Sequence, residues 1–207
     1  MRLVRPRARW KNETAVVAAP GPSLTEEVAR SIAPFHVIAV QDAWRLCPAA
    51  EILYGCDVAW WEFHQGVPKF AGERWSSHEA NSSNDKKRVA KNYELTLVAG
   101  EPGNTFGLDG TLRYGSNSGF QAVNLAILFG ACPILLVGFD MREVEGKRHF
   151  FGQHPIGLGR ASDYRLFVRN FTEAAIALPK SVEIYNCTPG SALRCFPARA
   201  VGEFALP

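Results

Sequence analysis

Short, uninterrupted apolar runs that end in glycine or acidic residues are the feature that most constrains the fold of this chain. The first run, residues 14–19, is followed by a Pro-Gly-Pro-Ser breaker at residues 20–23 and by a helical pattern over residues 24–32. Continuous apolar runs of this length are typical of parallel strands covered on both faces. The opening therefore predicts a strand, a tight glycine loop and a helix, with Ser23 and Glu26 as a capping box.

The same unit recurs along the chain. Further strands are predicted over residues 35–40, 51–54, 93–98, 134–137 and 182–185, and further helices over residues 43–46, 118–129 and 164–178. Strands that alternate with helices indicate an α/β fold, a single Rossmann-like, doubly wound, mostly parallel sheet with helices on both faces. Residues 14–207 are predicted to form this one domain.

Three segments fall outside the alternation. Residues 1–13 are a basic lead-in, predicted to be solvated or disordered, with contact to an anionic partner as the alternative. Residues 66–92 are a polar insertion, interpreted as a mobile excursion over the edge of the sheet. Residues 141–163 are predicted to form a polar lid loop, and residues 100–115 a loop or irregular hairpin.

Composition excludes several classes of protein. The formal net charge of +3 is too small to indicate nucleic-acid binding by itself. The five cysteines are widely spaced without a C-x-x-C, which argues against a disulfide framework or a zinc site and favours a reducing, cytoplasmic location. No apolar stretch approaches the length of a membrane span.

Two glycine-containing turns are candidate binding sites. Right-handed crossovers bring the carboxyl ends of parallel strands to one edge of the sheet, where ligands bind in such folds. The turn at residues 21–23 precedes a helix whose N-terminal amides favour an anion. Residues 117–119 begin the clearest helix and would suit an anion or a ribose hydroxyl. The alternatives are a plain turn and an N-cap in a surface loop.

A histidine-containing loop is the third candidate. Lys147, Arg148, His149 and His154 lie in one segment long enough to act as a lid. Histidine is the usual general base near neutral pH, although a surface histidine without a catalytic role is the alternative. Asp140 could join the histidines as a metal ligand, but the spacing matches no standard metal site.

Five motifs, in order, resemble those of the bacterial sialyltransferases of glycosyltransferase family 42. Residues 18–24 are similar to the G-x-G-P-S-L turn of that family, and the archaeal MptE-like pyrophosphokinase superfamily has a related turn. The other matches are residues 117–119 to T-S-G, 134–140 to a strand ending in G-x-D, 151–154 to the I-G-H of the catalytic histidine, and 187–193 to C-P-N-S-L-L. Compact versions of the domain resemble proteins of phages and prophages.

The chain departs from the family at defined positions. The spacing between His149 and His154 is one residue longer than the H-x-x-x-H spacing of the family. Gln41-Asp42 stands where the family has Asn-Gln. The tyrosines that hold the donor phosphate in the family have no match, since residues 141–143 are Met, Arg and Glu. Sialic acid specificity is therefore less well supported than nucleotide binding.

The resemblance implies a metal-independent glycosyltransferase that uses a nucleotide-activated, CMP-linked sugar and needs no cofactor. His154 would take the proton of an acceptor that the sequence does not identify, and Lys147 or Arg148 would stabilise the leaving phosphate. The implied nucleotide-binding residues are Gly21, Pro22, Ser23, Gln41, Asp57, Asn117, Ser118, Gly119 and Asp140.

The sequence leaves two alternative functions open. It also leaves open whether the chain forms a homo-oligomer. The first is an MptE-like pyrophosphokinase that binds ATP and a pterin-like acceptor, with Mg²⁺ held by Asp42, Asp57 and Asp140. The second is a non-catalytic nucleotide-binding or protein-interaction module, because a shared fold does not imply a shared activity.

Overall fold

A computed structural model describes residues 2–78, 84–155, 157–158 and 162–206. The strands are β1 Arg2–Val4, β2 Ala15–Ala18, β3 His36–Val40, β4 Ile52–Tyr54, β5 Glu73–His78, β6 Thr96–Glu101, β7 Leu112–Arg113, β8 Ile134–Val137 and β9 Ile184–Asn186. The α-helices are α1 Glu26–Ile32, α2 Val58–Phe63, α3 Asn84–Asn92, α4 Ser118–Leu128 and α5 Tyr164–Ile176. Two 3-10 helices span Gln41–Arg45 and Val201–Glu203.

All the described strands pair in parallel. Their order is β1-β6-β5-β4-β3-β2-β8-β9, with the two-residue β7 paired to β6. In the centre, Val17 of β2 lies opposite Ile38 of β3 on one side and Leu136 of β8 on the other. The predicted Rossmann-like, doubly wound sheet is therefore confirmed.

Alternate residues of the central strands point into two separate cores. Val17 belongs to the core that includes Phe120 of α4 and Phe171 of α5. Val16 belongs to the opposite core, which includes Ile32 of α1 and Trp60 of α2. Both faces of β2 are buried, so every position needs an apolar side chain. The run of Ala and Val in its sequence meets this requirement.

The chain reverses its direction of travel across the sheet between β2 and β8. From β2 it proceeds through β3, β4 and β5 to β6, and it then returns through α4 to place β8 on the other side of β2. Such a reversal opens a crevice at the carboxyl ends of the two adjacent strands, which is the usual ligand position in open α/β sheets. The loops that follow Ala18 and Val137 border this crevice.

The N-terminal lead-in is not disordered over residues 2–13, although most of its described side chains are exposed to solvent as predicted. Residues 2–4 form strand β1 at the edge of the sheet, beside β6. Arg9 forms an ion pair with Glu73, and Trp10 is only 2% exposed, with its ring against Phe129. The basic composition conceals this apolar anchor, because Trp10 stands between Arg9 and Lys11 in the sequence.

The polar insertion at residues 66–92 is also different from the prediction. It supplies strand β5 in the interior of the sheet and helix α3, while residues 79–83 lie outside the described part of the chain. Ser76 and Ser77 are 0% and 1% exposed, so small hydroxyl side chains occupy core positions. Serine is typical of loops, so the sequence pattern gives no indication of this strand.

The lid loop contains no helix or named strand in its described part. Two tight turns are closed by the isolated bridges Val144–Lys147 and His149–Gly152, and residues 156 and 159–161 lie outside the description. Phe150 ties the loop to the body by donating its amide to the carbonyl of Pro20. Among the described helices, none is long and apolar enough to cross a membrane.

Candidate functional site

A cleft of about 820 Å³ lies at the crevice between the β2 and β8 loops. It is also lined by the loops that follow β3 and β4, by the lid loop and by the start of α5. Nine of the predicted site residues line it: Gly21, Gln41, Asp57, Asn117, Ser118, Gly119, Asp140, Arg148 and His154. Residues from six separate segments of sequence are thus brought together.

Ser23 is not the cap of α1 that the sequence suggested. The N-cap is Thr25, whose hydroxyl accepts from the amide of Val28 at 3.2 Å. Ser23 instead donates its hydroxyl to Oδ2 of Asp140 at 2.8 Å. Ser23 and Pro22 are both half-buried beside the cleft and do not line it.

Close backbone contact joins the loops that follow β2 and β8. The amide of Gly21 donates to the carbonyl of Gly138 at 3.1 Å. A Cβ on Gly21 would overlap with that carbonyl oxygen and with the carboxylate of Asp140. Glycine at position 21 is thus explained by packing between the two loops, and Asp140 is buried at 3% exposure where they meet.

The loops after β3 and β4 are joined by side chains. Nε2 of Gln41 donates to Oδ2 of Asp57 at 2.7 Å, and both residues line the cleft. Gln41 has a φ of 45°, and two other lining residues, Ser116 and Met141, also have positive φ angles of 65° and 52°. Non-glycine residues in this conformation cost roughly 1–3 kcal/mol each and cluster at functional sites.

The first residues of helix α4 line the cleft. Asn117 is its N-cap, with Oδ1 accepting from the amide of Phe120 at 2.8 Å, so this side chain is used within the helix end. The hydroxyl of Ser118 accepts from the amide of Cys56 at 3.1 Å and donates to its thiol. The first-turn amides of Ser118 and Gly119 have no acceptor within the helix, and both residues line the cleft.

Cys56 lines the cleft and was not singled out from the sequence. Burial raises the pKa of its thiol to about 12, and the neighbouring Asp57 acts in the same direction. A thiol with this pKa is protonated at neutral pH and is a poor nucleophile. Cys56 therefore shapes the wall of the cleft and holds Ser118.

The two histidines of the lid loop form a pair. The ring centroids of His149 and His154 lie 4.3 Å apart, and both residues line the cleft. Burial and the neighbouring His154 lower the pKa of His149 to about 4, so His149 is uncharged at neutral pH. Nδ1 of each ring is buried without a hydrogen-bond partner among the described residues.

A buried carboxylate and a third histidine lie behind the cleft wall. Asp42, with a side-chain exposure of 4%, accepts from Nε1 of Trp60 at 2.7 Å and lies 3.5 Å from Nε2 of His64. Burial lowers the pKa of His64, Asp42 opposes this shift, and His154 adds to it. The sequence gave no signal for His64, because it follows a helix that was itself not predicted.

The two predicted cations have different positions. Lys147 is exposed and does not line the cleft, whereas Arg148 lines it and donates its Nε to Glu143 at 2.7 Å. Tyr164, the first residue of α5, also lines the cleft, and burial raises the pKa of its phenol. Asp163 caps α5 by accepting from the amide of Leu166, so a second helix begins at the cleft.

The three carboxylates required by the pyrophosphokinase alternative are each engaged by a different partner. Asp42 is bound to Trp60, Asp57 to Gln41 and Asp140 to Ser23. Over the described ranges, no three His, Cys, Asp or Glu side chains are grouped so that they could hold a metal ion.

No protein-family model matches this chain, and searches of the curated proteins and of the solved structures found no match either. The resemblance to the sialyltransferases thus depends on the quoted motifs, and the site is interpreted from its own geometry.

Proposed function

We propose that this protein is a glycosyltransferase whose cleft binds a nucleotide-activated sugar, with His154 as the general base. The observation that carries the proposal is that the N-terminal turn of α4 and the imidazole of His154 line the same cleft at the reversal point of the sheet. This edge is where doubly wound folds bind nucleotides.

The start of α4 suits the phosphate of the donor. The amides of Ser118 and Gly119 lie at the positive end of an 11-residue helix. Anionic groups bind at such helix ends because unpaired amides and the helix dipole both favour negative charge. Gln41 and Asp57, which are hydrogen-bonded to each other and also line the cleft, offer the hydrogen-bonding groups that sugar or ribose hydroxyls need.

His154 suits the role of the base. Its neighbour His149 has a pKa lowered to about 4 by burial and by His154, so the imidazole of His154 packs against a ring that is uncharged at neutral pH. His154 lines the cleft, and histidine is the usual general base near neutral pH. A positioned base of this kind typically contributes about 10²–10⁴ in rate.

The pyrophosphokinase alternative has less support, because its three aspartates are occupied by separate donors. It predicts turnover that depends strictly on Mg²⁺. The non-catalytic alternative predicts nucleotide binding without turnover under any metal condition.

Thermal melting against CMP, UDP, GDP and ATP tests the binding step. A nucleotide at about 100 times its Kd stabilises the folded state by roughly 2.7 kcal/mol, which raises the Tm of a domain this size by about 5–10 °C. CMP is expected to give the largest shift. If none of the four nucleotides shifts the Tm at millimolar concentration, the cleft is not a nucleotide site and the proposal is wrong.

Release of CMP from CMP-linked sugars tests the chemical step. His154→Gln is expected to lower turnover about 10²–10⁴-fold while the Tm shift with CMP is retained. His36→Gln is the matched control, because His36 begins β3 and so lies at the opposite edge of the sheet. Full turnover in His154→Gln would remove the histidine from this role.

A further inference from the structure

We propose that Arg45, which does not line the cleft, is a positioning residue that holds His154 in place through the ring of Phe151. The inference rests on the proposed role of His154 as the base. Neither Arg45 nor Phe151 borders the cleft, so neither would touch a ligand bound there.

Phe151 contacts the histidine pair directly. Its ring is stacked on His149, with centroids 5.0 Å apart and planes 7° from parallel. It also meets His154, with centroids 5.4 Å apart and an angle of 60°. A displacement of this one ring would therefore move both imidazoles.

Arg45 contacts two aromatic rings of the lid loop. It is the last residue of the 3-10 helix that follows β3, and its guanidinium carbon lies 5.3 Å from the ring centroid of Phe151 and 5.8 Å from that of Phe150. A planar guanidinium within about 6 Å of an aromatic ring is attracted to it by the charge distribution of the ring. Arg45 thus connects the body of the domain to the lid.

Arg45 also lies close to a buried carboxylate, although its own side chain is 47% exposed. One of its terminal nitrogens lies 3.9 Å from Oδ1 of Asp42, which is itself held by Nε1 of Trp60. The path from the buried carboxylate to the base therefore runs through Asp42, Arg45, Phe151 and His154, with separations of 3.9 Å, 5.3 Å and 5.4 Å at its three steps.

The lid has little regular structure of its own to hold His154. Its described part contains two bridged turns. Near His149 it is joined to the body by the backbone hydrogen bond from Phe150 to Pro20, by the phenol of Tyr164, which donates to the carbonyl of Arg148 at 3.4 Å, and by the packing of Phe150 against the core. Loss of the Arg45 contacts should let the imidazole of His154 sample more positions. Poor positioning of a base lowers kcat more than it lowers ligand affinity.

An effect of the positive charge of Arg45 must be distinguished from an effect on the position of His154, because several ionisable groups surround the two histidines of the lid. His154 and Arg148 act on His149, while Asp42, Arg45 and His154 act on His64. Arg45→Lys keeps the positive charge and loses the planar group that stacks on a ring, whereas Arg45→Met keeps the stem and loses the charge. Similar defects in both variants indicate positioning rather than electrostatics.

The kinetic test compares Arg45→Lys, Arg45→Met, Phe151→Leu and the double variant Arg45→Met with Phe151→Leu. Each single variant is expected to lower kcat roughly three- to tenfold while the Kd for CMP changes less than about twofold. The double variant should be no worse than the poorer single variant, because both changes break the same path. Additive losses would overturn the inference. Arg30→Met, at an exposed position of α1, is the matched control.

Histidine NMR signals provide a test that does not need turnover. The Cε1–H resonances of His149 and His154 should shift in Arg45→Met, because the ring current of Phe151 would move relative to both imidazoles, while that of His36 should stay in place. Unchanged His149 and His154 signals would overturn the inference. Shifted signals in a protein that turns over no donor would instead refute the proposed function and leave the path from Arg45 to His154 intact.

Discussion

Ser23 donates its hydroxyl to the carboxylate of Asp140 over 2.8 Å, although 117 positions of sequence separate the two residues. The amide of Ser23 approaches the same oxygen at 3.3 Å. The bond joins the loops that follow β2 and β8, and it occurs where a carboxylate is 3% exposed. The border of the cleft is therefore set by an interaction that also contributes to stability.

Ser23→Ala should destabilise the folded protein. Hydrogen bonds to charged groups contribute about 1.5–3 kcal/mol, and the buried carboxylate of Asp140 would lose its hydroxyl donor. Urea unfolding measures the loss. Ser31→Ala is the control, because Ser31 is exposed and donates its hydroxyl to the carbonyl of Val28 within α1. Equal stability of the two variants would contradict a role for the bond.

Gly21→Ala should be more damaging than an alanine at another glycine. The added methyl would overlap with the carbonyl of Gly138 and the carboxylate of Asp140, and overpacking of this kind costs about 1–3 kcal/mol. At Gly202 a methyl would meet nothing within 4 Å, so Gly202→Ala is the matched control. A Gly21→Ala protein with unchanged urea midpoint would mean that the two loops separate easily.

His149 should make the protein less stable as the pH falls. Its pKa is about 4 in the folded protein against 6.5 for the free side chain, so the unfolded chain binds the proton first. The free energy of unfolding should therefore decrease as the pH falls from about 6.5 to about 4. Urea titrations across this range should show a shallower decrease in His149→Gln, and an unchanged slope would count against the burial of this imidazole.

His36 should have the opposite pH dependence. Burial opposes its charged form, but hydrogen bonds to Glu13 and Glu51 outweigh this and raise its pKa above 6.5. The stabilisation is then present below pH 6.5, while both carboxylates are ionised, and it is lost as the pH rises through the raised pKa. His36→Gln should cost more stability at pH 6 than at pH 9. Equal losses at the two pH values would exclude the ion pairs as the cause.

The sequence predicted the central elements well because their burial is complete. The runs at β2 and β8 are apolar at every position, and helix α4 was predicted from its cap at Asn117 to Gly130, whose φ is +80°. Two elements lack such a signature in the sequence. Strand β5 contains two buried serines, and helix α2 is only six residues long.

The candidate site was predicted unevenly for the same reason. Residues directly after predicted strands, such as Gln41, Asp57 and Asp140, line the cleft as expected from parallel topology. The functions of individual groups were not accessible in this way. Ser23 had a plausible local partner at the start of α1, and only the structure shows that it bonds Asp140 instead.

The order of apolar runs and glycine turns was enough to determine a parallel α/β sheet and the edge at which its polar loops collect, because burial on both faces leaves a continuous local signature. Only the tertiary structure decided which groups meet. The pairing of Ser23 with Asp140, and the path from Asp42 through Arg45 and Phe151 to His154, join segments far apart in sequence. Such contacts depend on strand order and loop packing, which no local pattern encodes.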